Sequence, residues 1–157
     1  MRGVALRYAS CETAADDILQ EAFIKVFDQL KNYQDQGNIG GWMYRITVNT
    51  ALQAFRSQKR RNNHEDSFSK NSEHSVSNQS LENLKMEALL KLIQELPEGY
   101  RVIFNLRAIE GYTHREIAEM LEISEGTSKS QYARAKKHLQ AQITAEEKEL
   151  KTRSYGS

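Results

Sequence analysis

Residues 113–139 read THREIAEMLEISEGTSKSQYARAKKHL. Thr113, with Glu116 three positions on, has the form of a capping box, in which a hydroxyl and a carboxylate satisfy the open amides at a helix start. Ile117, Ala118 and Leu121 follow at helical spacing as a buried side. Glu122 and Ile123 leave room only for a tight connection before Ser124 supplies a second cap, and the helix behind it is expected to run to about Ala141. Two capped helices separated by so short a turn predict a helix-turn-helix, whose second helix enters the major groove of DNA. From Gly126 to His138 that helix holds four basic residues and no acidic one. Its first turn, Glu125, Gly126, Thr127 and Ser128, is small enough for close approach. Lys129, Arg134, Lys136 and Lys137 are the expected phosphate contacts, and Ser130 and Gln131 the expected readers of base edges. Ala133 and Leu139, with Tyr132 or Ala135, are the expected core side. A basic helix by itself is more often a solvated face; the capped helix in front of it turns the reading toward DNA.

Upstream, Gly111 marks a turn, and Tyr100 to Ile109 is predicted helical with Val102, Ile103, Leu106 and Ile109 inward. Pro97 and Gly99 belong to the turn before that helix or to its first turn. A preceding helix, capped by Ser80, places Leu81, Leu84, Ala88, Leu89, Leu92 and Leu96 on its apolar side. Residues 63–79, NHEDSFSKNSEHSVSNQ, offer too little apolar surface to offset the entropy of ordering and read as a flexible linker. Ahead of the linker, MRGVALRYAS reads as the later part of a helix carrying Val4, Leu6 and Tyr8. Thr13 with Asp16 reads as a further capping box, followed by apolar residues at 14/15, 18/19, 22/23, 26/27 and 30. The polar, glycine-containing stretch from Asn32 to Gly41 breaks that helix. The next runs from about Gly41 to Arg56 or beyond, with Met43, Ile46, Ala51, Leu52 and Phe55 buried and Tyr44, Arg45, Asn49 and Arg56 pointing elsewhere. Strand-like alternation is scarce, and the single proline leaves long helices intact. The expectation is an all-α chain of two small helical domains, 1–62 and 80–143, the second with the helix-turn-helix, joined by the 63–79 linker and followed by a frayed tail, 144–157.

A net charge of only +1 hides a pattern. Residues 1–62 carry nine Lys/Arg against six Asp/Glu, residues 63–100 three against seven, and residues 101–157 ten against eight. Two basic regions flanking an acidic middle suit a nucleic-acid partner, because binding follows the local field rather than the total. Between Gly41 and Arg61 there is no acidic residue. Trp42, Tyr44 and Phe55 are interleaved there with Arg45, Arg56, Lys59, Arg60 and Arg61. Rings stack on unpaired bases while cations hold the backbone, so this run is a candidate single-strand surface; Trp42 and Phe55 also fit as core residues. Asp16, Asp17, Gln20 and Glu21 form an acidic edge away from the apolar stripe, ordinarily a solubilising surface and equally a docking face for a basic helix.

Other chemistry is not encoded. One cysteine, Cys11, excludes an intramolecular disulfide and suits a reducing cytoplasm. No leader is visible, and no apolar run reaches the roughly 20 residues of a membrane helix, so no membrane insertion is expected. His64, His74, His114 and His138 lack metal-ligand spacing. There is no phosphate-binding glycine loop and no nucleophile motif. Neither a cofactor nor catalysis is expected.

Taken together these stretches resemble the bacterial RNA polymerase sigma factors of the sigma-70 family, in particular the extracytoplasmic-function subfamily. AADDILQEAFIKVFDQL (14–30) is similar to region 2.2, GWMYRITVNTALQAFRSQKRR (41–61) to regions 2.3 and 2.4, and LPEGYRVIFNLRAIEGYTHREIAEMLEISEGTSKSQYARAKKHL (96–139) to region 4. The resemblance implies core RNA polymerase, through its β′ and β subunits, and promoter DNA as partners. It assigns Asp16, Asp17, Gln20, Glu21 and Phe23 to a coiled coil of β′. It assigns Trp42, Tyr44, Arg45, Asn49, Arg56, Lys59 and Arg60 to the minus-ten element as single strand, with Asn49 near the pocket for a flipped-out base. The helix from Glu125 would read the minus-thirty-five element as duplex, and the linker would thread along the enzyme between the two. An anti-sigma factor is a further implied partner. The chain departs from the family in lacking part of the usual front end, in Gln53 where aspartate is common, and in Ser128 and Gln131 where valine and arginine are usual. The alternatives are a stand-alone helix-turn-helix regulator, which needs only the second domain, and a helical protein-interaction module.

Overall fold

Apolar residues recurring every three or four positions give seven α-helices, one π turn and no strand among the described residues, 1–34, 37–62 and 81–155 of a computed structural model. The chain divides into two units, Met1–Ser80 and Leu81–Ser157. The expected 63–79 linker, with His64 and His74, and the expected Ser80 cap lie outside the described residues.

In the first unit α1 (Arg2–Tyr8), α2 (Glu12–Leu30) and α3 (Ile39–Asn62) pack against one another. Val4, Ala5 and Tyr8 meet Ala15, Ile18, Ala22 and Val26 of α2 and Ile46, Val48, Ala51 and Leu52 of α3 in the interior. Thr47 and Thr50 are buried with them; their hydroxyls donate to the carbonyls of Met43 (2.9 Å) and Ile46 (2.8 Å), which removes the penalty of burying an unpaired hydroxyl. α3 starts ahead of Gly41 because Asn38 caps it, its Oδ1 accepting from the Gly41 amide at 2.8 Å. A Cβ on Gly41 would stand 2.8 Å from the Asn38 amide nitrogen, so a larger residue there would push the Asn38 side chain out of this position.

Three expectations fail here. Thr13 does not cap α2: the helix begins two residues earlier than that cap requires, behind Cys11 in extended conformation, with no side-chain cap. The Asp16 carboxylate instead accepts from Arg2 at 3.1 Å. The double apolar stripe of α2 splits: Ala15, Ile18, Ala22 and Val26 are interior, whereas Phe23, Phe27 and Leu30 are exposed, as is Ile24. A straight helix offers one three-helix unit a single seam, so the second row stays outside. Met43 and Phe55 are only half-buried, and the buried side of α3 is built on Thr47, Val48 and Thr50 as well as on the expected Ile46, Ala51 and Leu52.

In the second unit α4 (Leu81–Gln94), α5 (Glu98–Phe104), the π turn Asn105–Ile109, α6 (His114–Leu121) and α7 (Glu125–Tyr155) enclose Leu92, Ile93, Leu96, Val102, Ile103, Leu106, Ile117, Leu121, Ala135 and Leu139. Arg101 is 3% exposed and donates to the carbonyls of Gln94 (2.6 Å) and Leu96 (3.2 Å), closing the end of α4. The π turn shifts the register by about a third of a helical turn, so Ile109, expected inward, is exposed. Ala88 and Leu89 are exposed as well, with Ile93 taking the interior place on α4. Gly111 turns the chain at φ +82°. The Thr113–Glu116 capping box is present in both directions: the Thr113 amide donates to Glu116 at 2.7 Å and the Glu116 amide to Thr113 Oγ1 at 3.2 Å. α7 does not stop near Ala141. No proline or glycine follows Gly126 before Gly156, and helix-forming Glu, Lys, Ala and Gln predominate, so the stretch set apart as a frayed tail continues the helix as far as Tyr155.

Candidate functional site

Glu122 ends α6 in the left-handed region (φ 54°), and Ser124 opens α7 by accepting from the Thr127 amide at 3.0 Å. The two helices are thereby locked across a three-residue turn, and Ile117 and Leu121 anchor α6 against α7. Ala135 and Leu139 seat α7 on Leu92 and Leu96. With those positions inward, Glu125, Gly126, Lys129, Ser130, Arg134, Lys136 and Lys137 are all exposed. Lys129 and Glu125 form an ion pair at 2.6 Å, which holds the Glu125 carboxyl below its usual range. Lys136 lies 5.1 Å from the centre of the Tyr132 ring, which fixes its stem on the helix surface.

Not every expected groove residue faces outward. Ser128 is fully buried, and its hydroxyl is 2.9 Å from His114 Nδ1 of α6. Gln131 is half-buried with its carboxamide oxygen over Gly99, where an added Cβ would meet it at 3.1 Å. Thr127 is half-buried and hydrogen-bonded to Ser124 at 2.8 Å. Ala133, expected in the core, is exposed. The reason is the seam itself: positions 128, 132, 135 and 139 follow the three- and four-residue steps of one helical face, and Ala133 lies off it. Arg115, exposed at the start of α6 with Glu119 at 3.4 Å, was not among the expected contacts; its place beside the second cap could have suggested it.

On α3, Trp42, Arg45, Asn49, Gln53, Arg56 and Arg60 share one face by helical spacing. Arg45, Asn49, Lys59 and Arg60 are exposed, and Trp42 and Arg56 are half-buried. Tyr44 lies off this face; its hydroxyl accepts from Arg7 at 2.9 Å. The Trp42 ring tilts on Tyr33 at 4.8 Å and rests against Ala22, Val26 and Ile46. Asn32, Tyr33, Gln34, Asn38, Gly41, Trp42 and Arg45 line a cavity of about 420 Å³ with an aromatic wall, several carboxamides and a guanidinium. Asn49 does not line it. Tyr33 and Asn38 escaped the sequence reading because they sit in the break between helices.

On α2, Asp16, Asp17, Leu19, Gln20, Phe23, Ile24 and Phe27 line a shallow open groove. The Phe23 and Phe27 rings stack at 6.5 Å. Glu21 is ion-paired with Lys25 at 3.0 Å, and Lys25 also donates to Gln53 at 2.7 Å, tying α2 to α3. An apolar strip edged by carboxylates is chemically complementary to apolar and basic side chains. Among the described residues no cluster of His, Cys, Asp or Glu could hold a metal ion, and no helix is long and apolar enough to cross a membrane.

Residues 1–61 match the family Sigma-70 region 2, and residues 86–139 match Sigma-70, region 4. An extracytoplasmic-function (ECF) RNA polymerase sigma-E factor of Haemophilus influenzae is 28% identical, over 90% of this chain and 80% of that protein. The RNA polymerase sigma-H factor of Pseudomonas aeruginosa is 30% identical over 85% and 75%, and the ECF sigma-E factor of Escherichia coli K12 30% over 81% and 72%. Among solved structures, the sigma factor RpoE of Bartonella quintana, crystallised with the anti-sigma factor NepR, has the same fold, with a TM-score of 0.55 at 22% identity over 91% of this chain and 89% of that one.

Proposed function

Because the chain belongs to the sigma-70 family of RNA polymerase sigma factors, in its extracytoplasmic-function subgroup, we propose that it docks on core RNA polymerase through α2, holds unstacked minus-ten bases along α3, and reads the minus-thirty-five duplex with α7. Members of this family bind the polymerase and recognise promoters; the bond-making chemistry belongs to the polymerase. The observation that carries the assignment is the capped α6–α7 pair, whose outward face bears Lys129, Arg134, Lys136 and Lys137 while its inward face is packed. That is the arrangement a helix needs to lie in a major groove against phosphates.

The α3 face supports the single-strand part. A ring pair, Tyr33 and Trp42, opens beside Arg45 and continues into Asn49, Arg56 and Arg60, so one base finds a stacking wall and the strand behind it finds cations. On this reading the flipped base sits beside Trp42, which lines the cavity, and Asn49, which does not, meets the strand next to it. The α2 groove supports the polymerase part, with Asp16, Asp17, Gln20 and Phe23 on its lining and Glu21 beside it. An anti-sigma factor that covers the same faces is a second proposed partner, by likeness to the B. quintana protein.

Permanganate footprinting of promoter DNA bound by core polymerase and this chain tests the scheme. The wild type should expose unpaired thymines around the minus-ten element. Trp42→Ala should retain duplex binding and lose most of that reactivity. Full opening by Trp42→Ala would remove Trp42 from the base pocket, and operator-type DNA binding that is indifferent to polymerase would favour a stand-alone regulator.

A further inference from the structure

The geometry points to His114 as a further phosphate contact of the duplex-binding face, a ring oriented by the buried hydroxyl of Ser128; this rests on reading α7 as the groove helix. His114 is the first residue of α6, and the first helix of a helix-turn-helix crosses the DNA backbone. Its ring is fixed from α7. Nδ1 is 2.9 Å from Ser128 Oγ, and the Tyr132 ring meets it edge-on at 5.6 Å. A fully buried hydroxyl is costly unless bonded, so the bond holds both partners. With Nδ1 engaged, Nε2 is the ring nitrogen left for a ligand, on a half-exposed residue. When Ser128 donates, Nε2 carries the hydrogen and is the available donor.

The charges around the ring favour an anion beside it. Arg107 of the π turn and Lys129 of α7 press on it, opposed by Glu125, whose carboxylate is itself paired with Lys129 at 2.6 Å. Arg115, the next residue, is exposed. Desolvation and the two cations hold the imidazole below its ordinary 6.5, so the free protein carries it neutral at neutral pH. A phosphate alongside favours the imidazolium, and DNA binding then takes up a proton.

The test is the affinity of the full chain for a short fluorescein-labelled duplex of mixed sequence, by anisotropy across a salt series at about pH 6 and about pH 8. The wild type should bind several-fold more tightly at the lower pH, with a log–log salt slope steeper by about 1, the increment of one added phosphate contact. His114→Gln should show the same slope at both pH values. His138→Gln should keep the wild-type response, and Ser128→Ala should keep the fold by circular dichroism while losing most of the pH-linked gain. Equal responses in wild type and His114→Gln overturn the inference, as does loss of the response in His138→Gln alone. Full retention of the gain in Ser128→Ala overturns the orienting role. Lys136→Ala/Lys137→Ala separates the two levels: if it flattens the slope while His114→Gln changes nothing, only this inference fails, and if it also changes nothing, the reading of α7 fails.

Discussion

Removal of the Phe27 ring is the sharpest probe of the proposed docking face. Phe27 is 69% exposed in the free chain, and its neighbour Phe23 is 38% exposed. Fully burying a phenylalanine side chain is worth about 1.5–3 kcal/mol. Covering the exposed share of Phe27 in a complex is therefore worth about 1–2 kcal/mol, and Phe27→Ala should weaken binding to core polymerase roughly 5- to 30-fold. The same ring contributes little to the free fold, so stability should fall by less than about 1 kcal/mol. Adding Phe23→Ala brings the expected loss to roughly 15- to 200-fold, with a larger cost in stability because Phe23 is more enclosed. The assay is competition between labelled wild-type chain and unlabelled variant for a fixed amount of core polymerase, with melting curves of each free variant alongside. A Phe27→Ala chain that melts like the wild type and competes equally well would refute the docking assignment, because no other described role of this ring depends on its being covered.

Lys136→Ala/Lys137→Ala should reduce binding to all duplex sequences alike and lower the salt slope by about 2, at about 0.9 per lost phosphate contact; a slope unchanged from wild type would place both lysines off the backbone. Thr113→Ala removes the hydroxyl half of the capping box and should cost about 1–2 kcal/mol by thermal or denaturant unfolding of the second unit. The Glu116 carboxyl is held below 4.5 by bonds from the amide and hydroxyl of Thr113. Its folded value is thus the lower one, and the stability it confers is complete above about pH 4.5 and is lost as pH falls through the folded value. Melts from neutral to acid pH should show a shallower loss in Thr113→Ala than in wild type, and parallel curves would contradict the linkage.

How much of this was legible in the sequence depended on whether the signal was local. Thr113 with Glu116, Gly111 and Ser124 each act within four residues, so the two capped helices and their turn could be read directly, and the all-helical fold with them. Phe27 is hard to place from sequence because an exposed apolar row on a helix has the same composition as a buried one. The π turn at 105–109 has no residue signature, and Ile109 at its end lies outside. Ser128 and Gln131 looked like groove residues by position and type. Their orientation depends on where α7 crosses α6 and α5, a tertiary fact that the stretch around them does not encode. Tyr33 and Asn38 were passed over as part of a helix break, yet the cavity beside Trp42 is formed from that break. Thr13 satisfies the pattern of a cap, but the chain enters α2 two residues earlier, behind Cys11, and leaves it no amide to serve.

The central claim is that this chain directs RNA polymerase to promoters, and run-off transcription tests it most directly. Core polymerase, purified chain and a library of promoter fragments should yield transcripts from a restricted set of templates sharing two spaced elements, and none from those start sites when the chain is omitted. Transcript patterns identical with and without the chain, from preparations in which it is folded and binds duplex DNA, would contradict the account.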